Sequence, residues 1–387
     1  MSGTGLAWLL LLKLSGVGIL YLLLCAAMVR RLARLPSPRR TGEPSSSSIT
    51  ILKPLHGDEP GLFENLASFL AQTHAGPVRM VLGVQSDADP AIATARRLIA
   101  AYPGRDIALV VDGRQHGTNR KVSNLVNMSA EIAGDVVVLA DSDMRVAPDY
   151  LARLVAELER PGIGAVTCLY HGLPAGNAWS RLSALAIDTH FLPGVAMGLA
   201  LGLATPCMGS TIALRRETLE RIGGFRAFAD ALADDYELGA AVRRLGLAVR
   251  VPGFVVGHVC PERDGRALVR QELRWQRTIR QIDPLGHAGS VIGHPLAFAL
   301  AASALGPGPI AGAVLFTAIA ARIGLCLAVE RAFGVKRHPY WLVPARDLLS
   351  ACVFVASFFG RAVSWRGHRY EVARSGALLP IARPDPT

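Results

Sequence analysis

The sequence predicts an α/β domain, built on a parallel doubly wound sheet, that is attached to a membrane by apolar segments. Between residues 45 and 285, short β-branched runs alternate with amphipathic runs of helical spacing. Strands that alternate with helices favour a parallel sheet. The segments before and after this region are apolar over lengths that suit a bilayer. Ligands of parallel sheets bind beyond the carboxyl ends of the strands, so polar residues there are the first candidates for a functional site.

The composition agrees with a membrane protein. The 387 residues are 51% hydrophobic and carry a net charge of +11, with a mean hydropathy of +0.33. Such a basic balance suits either nucleic acid or the anionic face of a membrane. No zinc-finger spacing and no basic helix with interleaved aromatic residues occurs, so we discount nucleic acid. The six cysteines are scattered and form no C-x-x-C, which favours a reducing or lipid environment.

The first apolar segment, residues 5–28, is long enough to cross a bilayer of about 30 Å. No small-residue cleavage site follows it, so we interpret residues 1–30 as a transmembrane anchor. Arg30, Arg31 and Arg34 come directly after it. Positive charge marks the cytoplasmic side of membrane helices, so the domain that follows should be cytoplasmic.

Residues 45–285 form the predicted domain. Its first half alternates strands (48–57, 78–86, 106–112 and 135–143) with helices (61–73, 90–102 and 121–133). Its second half predicts a helix at 230–246, a strand-like run at 247–259 and a basic helix at 266–282. Between these halves, 191–204 is apolar but contains Gly and Pro. It is too short and too broken for a confident membrane span, which favours a helix lying at the membrane surface.

The C-terminal part, residues 288–365, is predicted to enter the membrane. Residues 291–305 and 309–329 are apolar and flank "GPGP", which is typical of a helical hairpin. A third apolar piece, 348–360, is of borderline length for a span. If it crossed as well, the basic tail, 366–387, would lie outside, against the positive-inside rule. We therefore expect the third piece to be re-entrant or interfacial.

Polar side chains follow the four predicted strands. Asp58, Asp89 and Lys121 come after the first three, and Asp141 and Asp143 end the fourth in "VVVLADSD". Two carboxylates one residue apart are costly to bury unless a positive charge sits between them. Carboxylates suit Mg²⁺ or Mn²⁺. A pair of this kind also occurs by chance in solvated loops, and Lys121 taken alone is as readily a solvated lysine.

Two further motifs come later in the chain. Asp235 lies in "LADDYELG", and Gln271, Arg274 and Trp275 lie in "QELRW". Acids also favour the start of any helix because of its dipole, and "QELRW" could belong to an ordinary amphipathic helix. His190 and Cys207 are more readily interpreted as packed residues than as catalysts.

The order of these motifs, after a membrane anchor, resembles glycosyltransferase families 2 and 21, in which D, D-x-D, D and (Q/R)-x-x-R-W follow one another. From "ILKPLHGDEPGL" to "RWQRTIR" the chain is similar to ceramide glucosyltransferases. The stretches "RDIALVVDGRQHGTNRKVSNLVNM" and "LADDYELGAAVRRLG" resemble most their bacterial relatives, the hopanoid-biosynthesis-associated glycosyltransferases. The resemblance implies a protein of the bacterial inner membrane whose cytoplasmic domain has the GT-A (Rossmann-like) fold.

The resemblance also implies roles for the motif residues. Asp141 and Asp143 would hold the metal on the donor diphosphate, Asp89 would accept a hydrogen bond from uracil, and Asp58 would touch uridine. Lys121 would pair with phosphate. Asp235 would be the general base of an inverting reaction, since one carboxylate serves a single displacement.

Gln271, Arg274 and Trp275 complete the implied catalytic set, with Arg274 on the leaving diphosphate and Trp275 as a wall for the acceptor or the sugar. The expected reaction is transfer from a UDP-sugar to a polyol or sphingoid lipid: N-acetylglucosamine to bacteriohopanetetrol, or alternatively glucose to ceramide. A non-catalytic lipid-binding protein on the same fold is the remaining alternative, and the intact set of acids argues against it.

Overall fold

The computed structural model describes residues 3–36, 45–360, 362–365, 368–372 and 378–380. The α-helices are α1 (Gly3–Ala33), α2 (Leu62–Leu70), α3 (Ala91–Ala101), α4 (Arg120–Met128), α5 (Tyr150–Leu158), α6 (Ala178–Ala186), α7 (Leu192–Ala200), α8 (Arg216–Arg221), α9 (Asp234–Arg244), α10 (Gly265–Ile282), α11 (Pro284–Gly289), α12 (Pro295–Leu305), α13 (Pro309–Phe333) and α14 (Val343–Ser357). The strands are β1 (Ile49–Pro54), β2 (Val78–Val84), β3 (Asp106–Val111), β4 (Val136–Leu139), β5 (Met144–Arg145), β6 (Ile163–Thr167), β7 (Leu169–Pro174), β8 (Ile212–Arg215), β9 (Ala248–Arg250), β10 (Val255–Cys260), β11 (Ala362–Trp365), β12 (His368–Val372) and β13 (Leu378–Pro380). The predicted basic tail, 366–387, lies largely outside the described residues.

The chain forms two compact units. The sheet unit comprises Leu35–Ala175, Thr205–Pro261 and Val372–Thr387. The helical unit comprises Met1–Arg34, Gly176–Ala204 and Glu262–Glu371. The predicted domains, 45–285 and 288–365, are each one continuous stretch of the chain. These bounds stay a prediction.

The sheet unit contains a seven-stranded sheet in the order β3-β2-β1-β4-β8-β6-β9. Strands β3, β2, β1 and β4 are parallel, as predicted. The order reverses between β1 and β4, which creates a crevice at their carboxyl ends. Apolar clusters cover both faces, with Ile51 and Met80 in one and Leu52 and Val81 in the other, because alternate strand residues point to opposite faces.

One part of the predicted sheet is wrong. Strand β8 runs antiparallel to both β4 and β6, so the sheet is mixed and not wholly parallel. A second sheet, in the order β5-β10-β7, follows the D-x-D segment because β5 begins directly after Asp143. Strand β8 has four residues, and three strands and three α-helices separate it from β4 along the chain, so simple alternation of strand and helix could not include it.

The helical unit contains the predicted hairpin, α12 and α13. Trp8 Nε1, near the start of α1, donates a hydrogen bond of 3.1 Å to the carbonyl of Gly306 in the hairpin turn. A buried cluster joins the second half of α1 to α7 and α13: Leu22, Cys25, Ala26, Met197, Ala321, Leu325 and Ala328. Helix α13 therefore runs in the same direction as α1, and its last turn lies at the same end as Arg30 and Arg31.

Three helical stretches of the described residues are long and apolar enough to cross a membrane: Gly3–Ala33, Ala178–Ala200 and Pro309–Phe333. The pair Pro284–Gly293 and Pro295–Leu305, bent by 58°, would make a fourth if it acts as one span. Helix α14 has 15 residues, fewer than the roughly 20 that a bilayer needs.

The segment 191–204 is less broken than the sequence suggested. Helix α6 continues through a π-helical turn, Ile187–Phe191, into α7, which gives a helical stretch of 23 residues. Pro193 is the second residue of α7, and the carbonyl of Thr189, four residues before it, accepts a hydrogen bond from Arg322 Nη1 at 2.7 Å instead of one from the missing N–H of Pro193. The expectation that this segment is too short to span is therefore wrong, whereas its position at the membrane surface stays a prediction.

Candidate active site

The D-x-D segment follows β4, and backbone hydrogen bonds fix it to neighbouring segments at both of its ends. Asp141 N donates to the carbonyl of Gly209 at 3.2 Å, and Val259 N donates to the carbonyl of Asp143 at 2.8 Å. The two carboxylates are therefore fixed where the strand order reverses. Their side chains are 35% and 27% exposed, so a ligand can reach both.

A buried lysine lies under this segment. Lys53, near the end of β1, is fully buried and donates a 2.6 Å hydrogen bond from Nζ to the carbonyl of Asp141. Its ammonium also lies 3.8 Å from the centroid of the Phe69 ring. Burial lowers the pKa of Lys53 to about 7, although the nearby carboxylates of Asp143 and Asp141 act in the opposite direction. Lys53 thus places positive charge behind the acidic pair.

A second lysine connects two of the predicted motifs. Lys121 Nζ lies 2.7 Å from Asp141 Oδ1 and 3.7 Å from Asp234 Oδ2. Burial alone would lower its pKa, but Asp141 and Asp234 outweigh burial and raise the pKa well above its ordinary value. Lys121 lies at the start of α4, whose first turn is fixed by the side chain of Asn119, which accepts a hydrogen bond from Val122 N.

Asp235 is the second residue of α9 and faces Gly209. Its Oδ2 accepts a hydrogen bond from Gly209 N at 2.9 Å, and its Oδ1 accepts one from Tyr236 N at 2.8 Å. Burial and the neighbouring charge of Asp234 raise the pKa of Asp235 to about 6, despite the opposing charge of Lys121. A carboxyl of this strength is ionised near neutral pH and is a better proton acceptor than an ordinary aspartate.

Glycine at position 209 permits the close approach of these groups. A Cβ atom there would lie 2.9 Å from both Asp141 Oδ2 and Lys121 Nζ, closer than real Cβ contacts allow. A side chain at the residue that connects Asp141 to Asp235 by backbone hydrogen bonds would therefore displace the carboxylate of Asp141 and the ammonium of Lys121.

The acidic cluster fits a divalent cation. The cluster contains more carboxylates than ammonium groups, so it has an excess of negative charge. The carboxylates are those of Asp141, Asp143, Asp234 and Asp235, and the ammonium groups are those of Lys53 and Lys121. Within the described residues Asp143 Oδ1 is buried and has no hydrogen-bond partner. Its Oδ2 lies 3.5 Å from His258 Nδ1. Burial would raise the pKa of Asp143, but the charges of His258 and Lys53 bring it below its ordinary value, so it is ionised at neutral pH.

Asp89 and Asp58 lie at the ends of the neighbouring strands. Asp89 Oδ1 accepts hydrogen bonds from Gly57 N at 2.8 Å and Ala91 N at 2.9 Å, and its Oδ2 lies 3.2 Å from His56 Nδ1. Asp89 therefore holds the loop that contains Asp58. A carboxylate oxygen has further lone pairs, so the predicted contact with uracil would share oxygens that are already bonded.

The motif "QELRW" lies in the helical unit, on α10. The N-cap of this helix is Asp264, whose side chain accepts a 2.7 Å hydrogen bond from Ala267 N. Gln271, Arg274 and Trp275 lie three and four residues apart, so they share one face of the helix. The structure thus brings Lys121, Asp141, Asp143 and Asp235 together in the sheet unit and aligns the other three residues on one helix of the helical unit.

Sequence reasoning missed Lys53, Gly209 and His258. Lys53 is the one charged residue in the apolar run "ITILKPL", a signal that could have been used. Gly209 and His258 reach the site from segments far away in sequence, and no local pattern marks them. Asp234, the residue before Asp235, faces Lys121.

The sequence profile of glycosyl transferase family 21 matches residues 10–378. The chain belongs to this family. It is 24% identical over 241 residues to ceramide glucosyltransferase 1 of Caenorhabditis elegans, a match that covers 61% of this chain and 51% of the relative. It is 25% identical over 248 residues to an N-acetylglucosaminyltransferase of Sinorhizobium fredii, covering 62% of this chain and 59% of the relative.

A further relative is the ceramide glucosyltransferase of Komagataella phaffii, 32% identical over 166 residues and matched over 38% of this chain and 32% of that protein. The chain thus spans between about a third and three fifths of the length of these relatives. Among solved structures, a mannosyltransferase of Pyrobaculum calidifontis in complex with GDP-Man and Mn²⁺ superposes with a TM-score of 0.51 at 23% identity. This match covers 91% of this chain and 99% of the mannosyltransferase, and the shared fold is of the GT-A type.

Proposed function

We propose that this family 21 glycosyltransferase is a membrane-bound inverting enzyme that transfers a sugar from a UDP-sugar to a lipid hydroxyl. The acidic cluster is the observation that carries the proposal. It combines two carboxylates suited to a metal, Asp141 and Asp143, with a carboxyl of raised pKa, Asp235, connected to Asp141 through the backbone of Gly209.

In this proposal Asp141 and Asp143 hold Mg²⁺ or Mn²⁺. The unpartnered Asp143 Oδ1 supports this assignment, because a buried carboxylate oxygen without a donor is costly unless a cation lies against it. A bound divalent cation would neutralise the charge that develops on the diphosphate as the bond to the sugar breaks. Asp141 thereby also contributes to binding of the nucleotide sugar.

Asp235 is the proposed general base, which takes the proton of the attacking lipid hydroxyl. Its pKa of about 6 keeps it ionised at neutral pH while giving it basicity near the operating range. Asp234 is less suited to this role because its carboxylate faces Lys121 and Asn119. With one base and no second carboxylate assigned as nucleophile, the reaction is a single displacement that inverts the anomeric centre.

The remaining residues bind and orient the donor. Lys121 would exchange part of its contact with Asp141 for a donor phosphate, as a charge-assisted bond. Asp89 would share its oxygens with the uracil N–H, and Asp58, on the loop that Asp89 holds, would contact the uridine.

On α10, Arg274 would stabilise the leaving diphosphate, and Gln271 and Trp275 would line the donor or acceptor. Their common helix face supports assigning them to one site. The sequence motif supports the role of each.

The finer assignment is N-acetylglucosamine transfer from UDP-N-acetylglucosamine to bacteriohopanetetrol in hopanoid biosynthesis. The sequence resemblance supports it, together with the similarity to the N-acetylglucosaminyltransferase of Sinorhizobium fredii. Glucosyl transfer from UDP-glucose to ceramide is the alternative, which the similarity to ceramide glucosyltransferases favours. A protein that only binds lipid would not need the coupled carboxylates of the cluster.

We place the enzyme in the bacterial inner membrane with the sheet unit in the cytoplasm. The common direction of α1 and α13 supports this orientation, because it puts the basic residues that end both helices, Arg31 and Arg331, at one end. Protease added to spheroplasts should leave the sheet unit intact and should digest it only after the membrane is opened. Digestion from outside would reverse the orientation.

The function is tested by incubating the purified enzyme with radiolabelled UDP-N-acetylglucosamine or UDP-glucose and either bacteriohopanetetrol or ceramide. Label in the lipid extract identifies the donor and the acceptor together. Label with ceramide alone would favour the alternative. Lipid binding without label in any of the four combinations would support the non-catalytic reading and would contradict the proposal.

A further inference from the structure

The motif "QELRW" contains a buried ion pair that the catalytic assignment does not use. Glu272, next to Gln271 on α10, accepts two hydrogen bonds from Arg346 on α14, from Nη1 at 2.6 Å and from Nη2 at 2.8 Å. The side chains of Arg346 and Glu272 are only 1% and 9% exposed. Two parallel N–H···O bonds fix the relative orientation of both groups as well as their separation.

Arg346 is itself fixed on its own helix. Its Nε and Nη2 donate to Ser350 Oγ, one turn further along α14, at 3.1 and 2.8 Å. Little rotamer freedom is left for the guanidinium, so the carboxylate of Glu272 can dock in only one place. The position of α14 therefore determines where this face of α10 points.

The side of α10 that contacts α14 through Glu272 differs from the side that carries Gln271, Arg274 and Trp275. With about 100° of rotation per residue, Gln271, Arg274 and Trp275 occupy an arc of roughly 100°, and Glu272 points about 60° beyond its edge. By the same count Arg280 lies on the opposite side of the helix from that arc, whereas Arg277 lies about 60° beyond its other edge, on the Arg274 side. The groups that anchor the helix thus lie outside the arc of the groups that could contact a substrate.

The second half of α10 is anchored to the chain that follows α14. Arg277 Nη2 donates to the carbonyl of Phe359 at 2.8 Å, and Arg280 Nη2 donates to the carbonyl of Gly360 at 2.9 Å. Carbonyl groups beyond a helix end lack partners within the helix and favour cations. Helix α10 is therefore fixed to α14 and its end at three points over more than two turns.

A buried ion pair of this kind does not add much to stability. The desolvation of two charges offsets most of their attraction, and apolar residues of similar volume often serve as well or better. What the pair adds is orientation, because apolar side chains can slide past each other whereas a bidentate pair cannot. Arg346 lies on α14, two residues before the third apolar segment, 348–360.

We propose that Glu272 and Arg346 are positioning residues. Through them, α14 fixes the rotation of α10 about its own axis and thereby orients Gln271, Arg274 and Trp275. This inference rests on the proposed function, in which those three residues act on the donor and the acceptor. It also gives the short helix α14 a role that does not require it to cross the membrane.

The test is the double variant Glu272→Leu/Arg346→Met, which removes both charges and keeps the volume similar. Ser350 can then bond to a carbonyl of the preceding turn. We expect kcat to fall by about 10- to 100-fold, since small misplacements of positioning groups have effects of this size. The KM for the UDP-sugar and the melting temperature should change little, and amide hydrogen exchange in α10 should become faster. Arg346→Lys, which keeps the charge but loses the fork, should retain intermediate activity.

The matched control is Glu217→Leu/Arg221→Met, an exposed pair on α8 in the sheet unit, which should leave kcat and exchange unchanged. A double variant with wild-type kcat and exchange would overturn the inference, and so would a loss of kcat that only accompanies a lower melting temperature. A wild-type enzyme that transfers no sugar would refute the proposed function instead. In that case hydrogen exchange in α10 still decides whether the pair fixes this helix.

Discussion

Replacement of Asp235 by Asn removes a proton acceptor but keeps the shape of the side chain. If Asp235 takes the proton from the lipid hydroxyl, turnover should fall by about 10²- to 10⁴-fold, the contribution of a positioned general base. Donor affinity should be almost unchanged, because a base that acts on the acceptor matters to the transition state and not to UDP-sugar binding.

The structure also predicts a side effect of this substitution. Both oxygens of Asp235 accept backbone N–H groups, from Gly209 and Tyr236, and an Asn side chain has only one acceptor. One N–H group would then face the amide NH₂, at a cost of about 1–3 kcal/mol in stability. The melting temperature must therefore be measured together with turnover.

The assay is turnover with the lipid acceptor and calorimetric titration with the UDP-sugar, on Asp235→Asn and on the matched variant Asp234→Asn. Asp234 faces Lys121, so its replacement should be milder in turnover. An inactive Asp234→Asn beside an active Asp235→Asn would assign the base to Asp234. Loss of donor binding in both variants would place this acidic pair in the nucleotide or metal site and refute the mechanism.

Three further outcomes follow from the acidic cluster. Excess chelator should abolish transfer and Mg²⁺ or Mn²⁺ should restore it, since Asp141 and Asp143 would hold the ion; full activity in chelator would refute this assignment. The pH profile of kcat/KM should fall below about pH 6, because the pKa of Asp235 is raised to about 6 and the protonated form below that pH cannot accept a proton; a profile that is flat down to pH 5 would contradict it. Gly209→Ala would place a Cβ 2.9 Å from Asp141 Oδ2 and Lys121 Nζ. Donor affinity and turnover should therefore both fall at least tenfold, which corresponds to about 1.4 kcal/mol. Unchanged kinetics would show that these two groups can move aside.

Local patterns were sufficient for the parallel half of the sheet and for the edge at which the candidate site is proposed. Apolar β-branched runs that end in polar residues identify both the strands and their carboxyl ends, and Asp141 and Asp143 were found in this way. The bounds of α10 agree with the predicted helix to within one residue at its start, because its apolar and basic residues repeat with helical spacing.

The remaining features depend on contacts between distant segments. The antiparallel pairing of β8 with β4 joins residues more than 70 positions apart, and no local pattern encodes it. The pair Glu272 and Arg346 is separated by 74 positions, and each residue alone resembles an exposed charge on an amphipathic helix. Burial of Lys53 likewise becomes visible only once α2 supplies Phe69 on the other side.

The configuration of the product tests the central claim most directly. UDP-N-acetylglucosamine and UDP-glucose carry the sugar in the α configuration, so a single displacement guided by Asp235 must give a β-glycoside. The measurement is the anomeric proton coupling, by NMR, of the glycolipid formed by the purified enzyme. The predicted result is a β-linked product from the wild-type enzyme. The Asp235→Asn variant should form no such product although it binds the donor equally well. An α-linked product would require a second nucleophile or a different mechanism and would contradict the account.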